Sequence, residues 1–162
     1  MRVDGRPGRA TAPPTRLAAE AWEELFRAQV AIMRRLERDD IWGELSMREY
    51  DVLFQLSRAP ARALRVRELN EHILLSQPSL SRLVERLAGR GLVAREGVPG
   101  DGRGVSVRLT EAGAALQREI GRRHVRTIRR YVGGALDEAE LRELARLCAR
   151  LRAAQQDLPE ET

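Results

Sequence analysis

Leu75-Ser76-Gln77-Pro78-Ser79-Leu80-Ser81-Arg82-Leu83-Val84-Glu85-Arg86-Leu87 is the stretch whose reading decides the fold. Ser76 is a good helix N-cap, and Pro78 falls in the first turn, where a missing N–H costs nothing. At about 100° per residue, Leu80, Leu83, Val84 and Leu87 share an arc about 100° wide and must face a core. Pro78, Arg82, Glu85 and Gly89 then point outward, with Ser79 and Arg86 along one flank and Ser81 along the other. Gln77, Ser79 and Ser81 put polar groups at the N-terminal end, the end that a recognition helix presents to the major groove. Gln can bond adenine bidentately, Ser serves donors or acceptors, and Arg82 or Arg86 can reach guanine or phosphate. An ordinary amphipathic helix with a solvated polar face fits the same pattern, and the segment alone leaves both readings open. Glu85 stands close enough to Arg82 and Arg86 to pair with either.

The neighbouring segments extend the pattern. Upstream, residues 65–73 read as a short helix with Val66, Leu69 and Ile73 inward, joined to the informative helix by a turn through Leu74-Leu75. Before it, Ser46-Met47-Arg48-Glu49 fits the capping box S-x-x-E, and Tyr50, Leu53, Phe54 and Ser57 form one face of a helix stopped by Pro60. Downstream, the helix ends at Gly91. Residues 92–96 and 105–109 then read as strands around the Gly-rich tip Gly97 to Gly104. Three short helices followed by a hairpin make a winged helix–turn–helix. The tip carries Asp101 and Arg103 between glycines, so a chain able to approach a phosphate backbone closely bears one Arg suited to the narrow, electronegative minor groove. Asp101 lies close enough to orient it.

Long helices flank this centre. Thr15 to about Asp39 is amphipathic through Leu17, Ala21, Leu25, Ile32 and Leu36. Thr110 caps a helix to about Val132, and Asp137 caps a last one to about Ala154, with Leu141, Leu144, Ala145, Cys148 and Leu151 on one stripe. That is more apolar helical surface than a head of about 70 residues can cover, which predicts a homodimer. The expected fold is mainly α with a small β-hairpin wing, divided as follows: a mobile basic tail over 1–15, a dimerisation helix over 16–40, a DNA-binding head over 41–110, dimerisation helices over 111–158, and a short tail over 159–162.

Composition narrows the chemistry. The chain has 162 residues and a net charge of +5, and all 29 of its basic residues are Arg. Without Lys there is no Walker-type phosphate loop and no Schiff-base chemistry. One Cys excludes an intrachain disulfide and a Cys-based zinc finger. His72 and His124, the only histidines, are far apart and predict no metal site. No cofactor is expected. No HExxH or GxSxG motif is present, and a binding protein is predicted in place of an enzyme. The longest apolar run is four residues, Val30 to Met33, so neither a membrane span nor a signal-peptide core is expected and the cytoplasm is the predicted compartment. Basic charge favours a polyanionic partner. Cys148 reads as an interface thiol, and Arg118, Arg122, Arg126 and Arg130 as a basic helix face, either solvated or anion-binding.

The segment Asp101-Gly102-Arg103 followed by Leu109-Thr110-Glu111-Ala112-Gly113 resembles the D-x-R…L-T-x-x-G pattern of the MarR family of bacterial transcriptional regulators. Residues 75–87 and Arg90-Gly91-Leu92-Val93 resemble that family's recognition helix and its exit, and the resemblance spans roughly residues 16–155. It implies an obligate homodimer with interleaved first and last helices, bound to a pseudo-palindromic double-stranded DNA operator, in this family usually as a repressor. Carried over by motif, Gln77, Ser79, Ser81 and Arg82 address the major groove, Arg103 the minor groove, and Asp101 orients Arg103. The resemblance also implies a small aromatic or phenolic effector between dimerisation helices and heads, where Trp22, Trp42, Met47, Tyr50 and Phe54 are candidate lining residues. Two departures stand out: Asn70 and Leu74 replace the usual small Ala and turn Gly. A Leu forced to positive φ would cost roughly 1–2 kcal/mol, so a turn of different shape is expected. The alternative is a dimeric interaction or ligand-sensing module of the same fold without specific DNA binding.

Overall fold

The computed structural model describes residues 14–98 and 101–156; the side chains of residues 98, 101–103 and 156 fall outside that description. The expected tails lie outside it too, apart from Pro14 and from Thr15, which already opens the first helix. The chain divides into two compact units, residues 1–38 and 39–162. In the first, α1 runs from Thr15 to Arg38, matching the predicted span. Arg16–Glu20 and Arg27–Glu23 pairs one turn apart lace its polar face. Leu17, Trp22, Leu25 and Phe26 are exposed, and the rings of Trp22 and Phe26 stack 6.1 Å apart.

The second unit contains α2 (Met47–Arg58), β1 (Ala63–Arg65), α3 (Val66–His72), α4 (Gln77–Gly89), β2 (Val93–Val98), β3 (Asp101–Leu109), α5 (Glu111–Tyr131) and α6 (Glu138–Gln156). Local signals set most of these boundaries. Ser46 Oγ accepts from the Glu49 N–H at 3.2 Å, while a Glu49 carboxylate oxygen accepts from the Ser46 N–H at 2.8 Å, closing the predicted capping box. Thr110 Oγ1 accepts from the Gly113 N–H at 3.0 Å, and Asp137 Oδ1 from the Glu140 N–H at 2.9 Å. Gly91 takes φ +70°, the left-handed exit expected after α4. Ser76 departs from expectation. Its side chain caps no backbone N–H and lies instead 2.9 Å from Ser79 Oγ.

The three antiparallel strands lie in the order β1-β3-β2. A two-stranded hairpin was expected, but its strands run further than the alternation marked, β2 to Val98 and β3 from Asp101, taking in most of the Gly97–Gly104 tip; β1 was not expected. With only three residues it carries no periodicity and exists by pairing with β3, Leu64 opposite Val107. The chain reaches it through Pro60–Arg62, where Ala61 and Arg62 hold φ of 51° and 53°. Left-handed non-glycine residues cost roughly 1–2 kcal/mol each. Arg108 Nη1 donates to the Ala61 carbonyl at 3.0 Å and Arg62 Nη1 to Glu111 at 2.8 Å, so both are pinned from outside the corner. By contrast, Leu74 has no positive φ: the Leu75 N–H closes a three-residue turn on the Ile73 carbonyl at 2.8 Å, and Leu74 projects fully into solvent.

The core sits where α2, α3, α4 and the sheet converge. Leu53 and Leu56 of α2, Leu69 of α3, Leu80 and Leu87 of α4 and Val107 of β3 are completely buried. Each fully buried side chain of this kind contributes about 1.5–3 kcal/mol. On α2 the buried face is Tyr50, Val52, Leu53 and Leu56, while Phe54, expected inward, is exposed. Tyr50 packs 5.3 Å from the Trp42 ring, and His124 of α5 completes the cluster at 5.0 Å from Trp42. Tyr131 donates its hydroxyl to Asp39 at 2.9 Å, tying the end of α5 to the first residue of this unit. Nearly all of α6 and several apolar side chains in the far half of α5 are exposed, including Val125, Ile128, Leu144, Leu147 and Leu151. No described helix is long and apolar enough to cross a membrane.

Candidate nucleic-acid interface

The α4 stripe Leu80, Leu83, Val84 and Leu87 is buried, as the 3.6-residue period predicts. The remaining side chains are therefore committed to the surface, and they divide between two clefts. On one side Gln77, Pro78 and Ser81 face Arg65, Val66, Arg67 and Arg95 and the strand residues Gly104 and Val105 across about 500 Å³. On the other, Ser79, Arg82 and Arg86 face Ser46, Arg48 and Leu75 across about 380 Å³. The helical placement of Ser81 on one flank and Ser79 and Arg86 on the other is what the structure contains.

Two carboxylates organise the guanidinium groups here. Glu85 pairs with Arg95 of β2 at 3.3 Å, not with Arg82 or Arg86, its neighbours along the helix. Reaching across to the strand replaces a same-helix pair with one that ties α4 to the stem of the wing. Arg86 lies 3.7 Å from Glu49, a buried carboxylate whose other oxygen is occupied by Ser46. Arg86 is thus anchored to the start of α2, while Arg82 makes no ion pair among the described residues. The wing stem is held by Arg108, which donates to both oxygens of Glu96 at 2.9 and 3.0 Å. That pairing holds the Glu96 carboxyl below the usual carboxylate range. Asp101 and Arg103 lie in β3, and their side chains are outside the described residues.

Sequence reasoning missed Arg48, Arg65, Arg67 and Arg95 as cleft residues. Each is one Arg among 29, and nothing local distinguishes it from a solvated surface charge.

A third crevice of about 640 Å³ lies between α2 and α5, lined by Tyr50, Phe54, Gln117, Arg118, Gly121, Arg122, Val125 and Arg126. Of the five expected effector residues, it contains Tyr50 and Phe54. Trp42 is buried behind Tyr50, Met47 is half-buried outside the crevice, and Trp22 belongs to α1 in the other unit. Three members of the arginine ridge, read from sequence as either solvated or anion-binding, line this crevice. Burial pushes the Tyr50 hydroxyl above its ordinary value, opposed by its hydrogen bond with Gln117.

A short helix pair, an outward polar helix between basic clefts, and a strand hairpin carried on a three-stranded sheet define a winged helix–turn–helix protein. Residues 44–104, which run from just before α2 into β3, match the sequence model of the MarR family. The chain is similar in sequence and fold to members of that family. It is 30% identical over 102 residues to the HTH-type transcriptional regulator PecS of Dickeya dadantii strain 3937, a match spanning 62% of this chain and 61% of that relative's length. Its fold is similar to that of AbsC, a MarR family transcriptional regulator from Streptomyces coelicolor, with a TM-score of 0.74 and 26% identity over 91% of this chain and all of that one. It is similar as well to Sco3205 from the same organism, a MarR family transcriptional regulator solved in complex with DNA. There the TM-score is 0.72 and the identity 26%, over 96% of both chains.

Proposed function

We propose that this chain is a sequence-specific double-stranded DNA-binding transcriptional regulator, a repressor acting as a homodimer on a pseudo-palindromic operator. The observation that carries the reading is α4 itself. Its buried stripe fixes the orientation of a polar edge bearing Gln77, Ser79, Ser81 and Arg82, set among arginines. Those four residues read base edges in the major groove, Arg86 adds a backbone or guanine contact from its Glu49 anchor, and Arg103, oriented by Asp101, enters the minor groove. That Sco3205, of similar fold, was solved in complex with DNA supports DNA as the partner.

Residues 41–110 form the DNA-binding head in this reading, and 16–40 and 111–158 the dimerisation helices. The apolar side chains exposed on α1, the far half of α5 and α6 support the dimer, since a single chain leaves them in water. Two chains set two recognition helices to meet grooves one helical turn, about 34 Å, apart. The Tyr50–Phe54 crevice, open and rimmed by Arg118, Arg122 and Arg126, suits a small aromatic or phenolic effector with an acidic group, which releases the operator. The protein binds and does not catalyse, and it works in the cytoplasm where duplex DNA is found.

The test is selection of duplexes from a random pool by the purified protein at moderate salt. Enrichment of an inverted repeat with half-sites about one turn apart is expected. Replacing Arg103 by Ala then weakens binding to that repeat by about 1–3 kcal/mol. Binding without enrichment, lost steeply as salt rises, would overturn the sequence-specific reading.

A further inference from the structure

The two clefts beside α4 have a use beyond base reading. With its side chains an α-helix is about 10–12 Å across, close to the width of about 12 Å of the B-DNA major groove. A helix seated in that groove therefore places whatever lies on its two flanks against the two phosphodiester strands that wall it. Here both flanks are arginine clefts: Arg65, Arg67 and Arg95 on the wing side, and Arg48, Arg82 and Arg86 on the α2 side.

In each cleft one arginine is already held by a carboxylate, Arg95 by Glu85 and Arg86 by Glu49. Arg67 and Arg48 are exposed and make no ion pair among the described residues. They come from α3 and α2, so neither depends on α4 for its position. We propose that the clefts are paired phosphodiester-binding sites, Arg67 gripping one strand of the duplex and Arg48 the opposite strand across the same major groove. This rests on the DNA-binding reading above. The two grips fix the depth and register of α4 without reading sequence, leaving discrimination to Gln77, Ser79, Ser81 and Arg82.

The experiment compares Arg67→Gln, Arg48→Gln and the control Arg58→Gln, at an exposed arginine that lines neither cleft, with the wild-type protein. A labelled duplex carrying the enriched repeat, or a mixed-sequence duplex of the same length, is titrated from about 50 to 200 mM salt. Each cleft substitution is expected to reduce the slope of log affinity against log salt by about 1 per half-site. The control leaves the slope unchanged. Phosphate-ethylation interference on the same duplex assigns strands: Arg67→Gln removes interference on one strand of each half-site, Arg48→Gln on the other. Competition with inorganic phosphate separates a small-anion site from a backbone site. Displacement of the duplex from wild type at constant ionic strength, but not from the two variants, would overturn the proposal in favour of free anion binding. Slopes equal to the control, or loss of the same strand in both variants, overturn the cleft assignment alone. Failure of the wild-type protein to bind any duplex overturns the DNA reading and this inference together.

Discussion

Replacing Gly113 by Ala tests how closely α5 is seated against Leu92 and Leu109. Gly113 is buried in the first turn of α5. A Cβ there would stand 2.0 Å from the Leu92 carbonyl oxygen and 2.9 Å from both the Leu92 carbonyl carbon and Leu109 Cδ1. Ordinary non-bonded contacts begin near 3.5 Å, so the turn must retreat by more than about 1 Å. Its neighbour Thr110 resists that movement, with its N–H donating to the Leu92 carbonyl at 3.2 Å and its Oγ1 holding the Gly113 N–H at 3.0 Å. Overpacking costs about 1–3 kcal/mol, and the upper end applies because the struck atom is backbone. One weakened hydrogen bond adds about 1 kcal/mol, and the better helix propensity of Ala returns about the same. The expected net loss is about 3 kcal/mol, a fall in Tm of roughly 6–12 °C for a chain of this size. Gly89 supplies the contrast. It is helical, its φ is not positive, and nothing lies within 4 Å of an added Cβ, so Gly89→Ala should stabilise by up to about 1 kcal/mol. Urea unfolding of both variants at one fixed protein concentration decides the matter, since dimerisation would make stability concentration-dependent. Gly113→Ala unfolding within about 0.5 kcal/mol of wild type would refute the close approach and this account of the glycine in the L-T-E-A-G segment.

Three further outcomes follow from other parts of the structure. Ser46→Ala should cost about 1–2 kcal/mol through loss of the α2 cap, whereas Ser76→Ala should change stability by less than about 0.5 kcal/mol because that hydroxyl caps nothing; parallel urea curves compare them. Burial against Trp42 and Tyr50 lowers the pKa of His124 from its ordinary value of 6.5, so the unfolded chain binds the extra proton first. Stability should therefore be full above about pH 6.5 and fall as the pH drops through the folded value; His124→Phe, followed by thermal melts across pH, should flatten that limb. Burial raises the Asp51 carboxyl instead, so its contribution to stability is full below its unfolded value of 3.8 and is lost as the pH rises through the folded value. Asp51→Asn should accordingly raise Tm at neutral pH and have no effect below about pH 4, as a pH series of melts would show.

Much of this protein was legible because the controlling interactions are local. The period of Leu80, Leu83, Val84 and Leu87 fixes which way α4 faces, and the polar residues left over become its exposed edge. Ser46, Thr110 and Asp137 mark helix starts because a cap bonds to backbone two or three residues away. Gly91 marks an exit because a left-handed backbone favours glycine at that one residue. The departure at Leu74 was also readable: a side chain that resists positive φ predicts a turn of another shape, and the chain closes a three-residue turn there.

What only the tertiary structure decided are the pairings between residues far apart in the chain. Glu85 has two arginines within helical reach and chooses Arg95, ten residues on, because the hairpin returns that strand beside α4. Glu49 meets Arg86, β1 exists only as a partner for β3, and Gly113 is glycine because Leu92 lies against it. Arg48 and Arg67 become candidate phosphate ligands solely through the clefts they line. A sequence states what each residue does to its own few neighbours on a helix or strand. Which surface charge faces which carboxylate is set when the core closes, by packing that no short stretch of the chain encodes by itself.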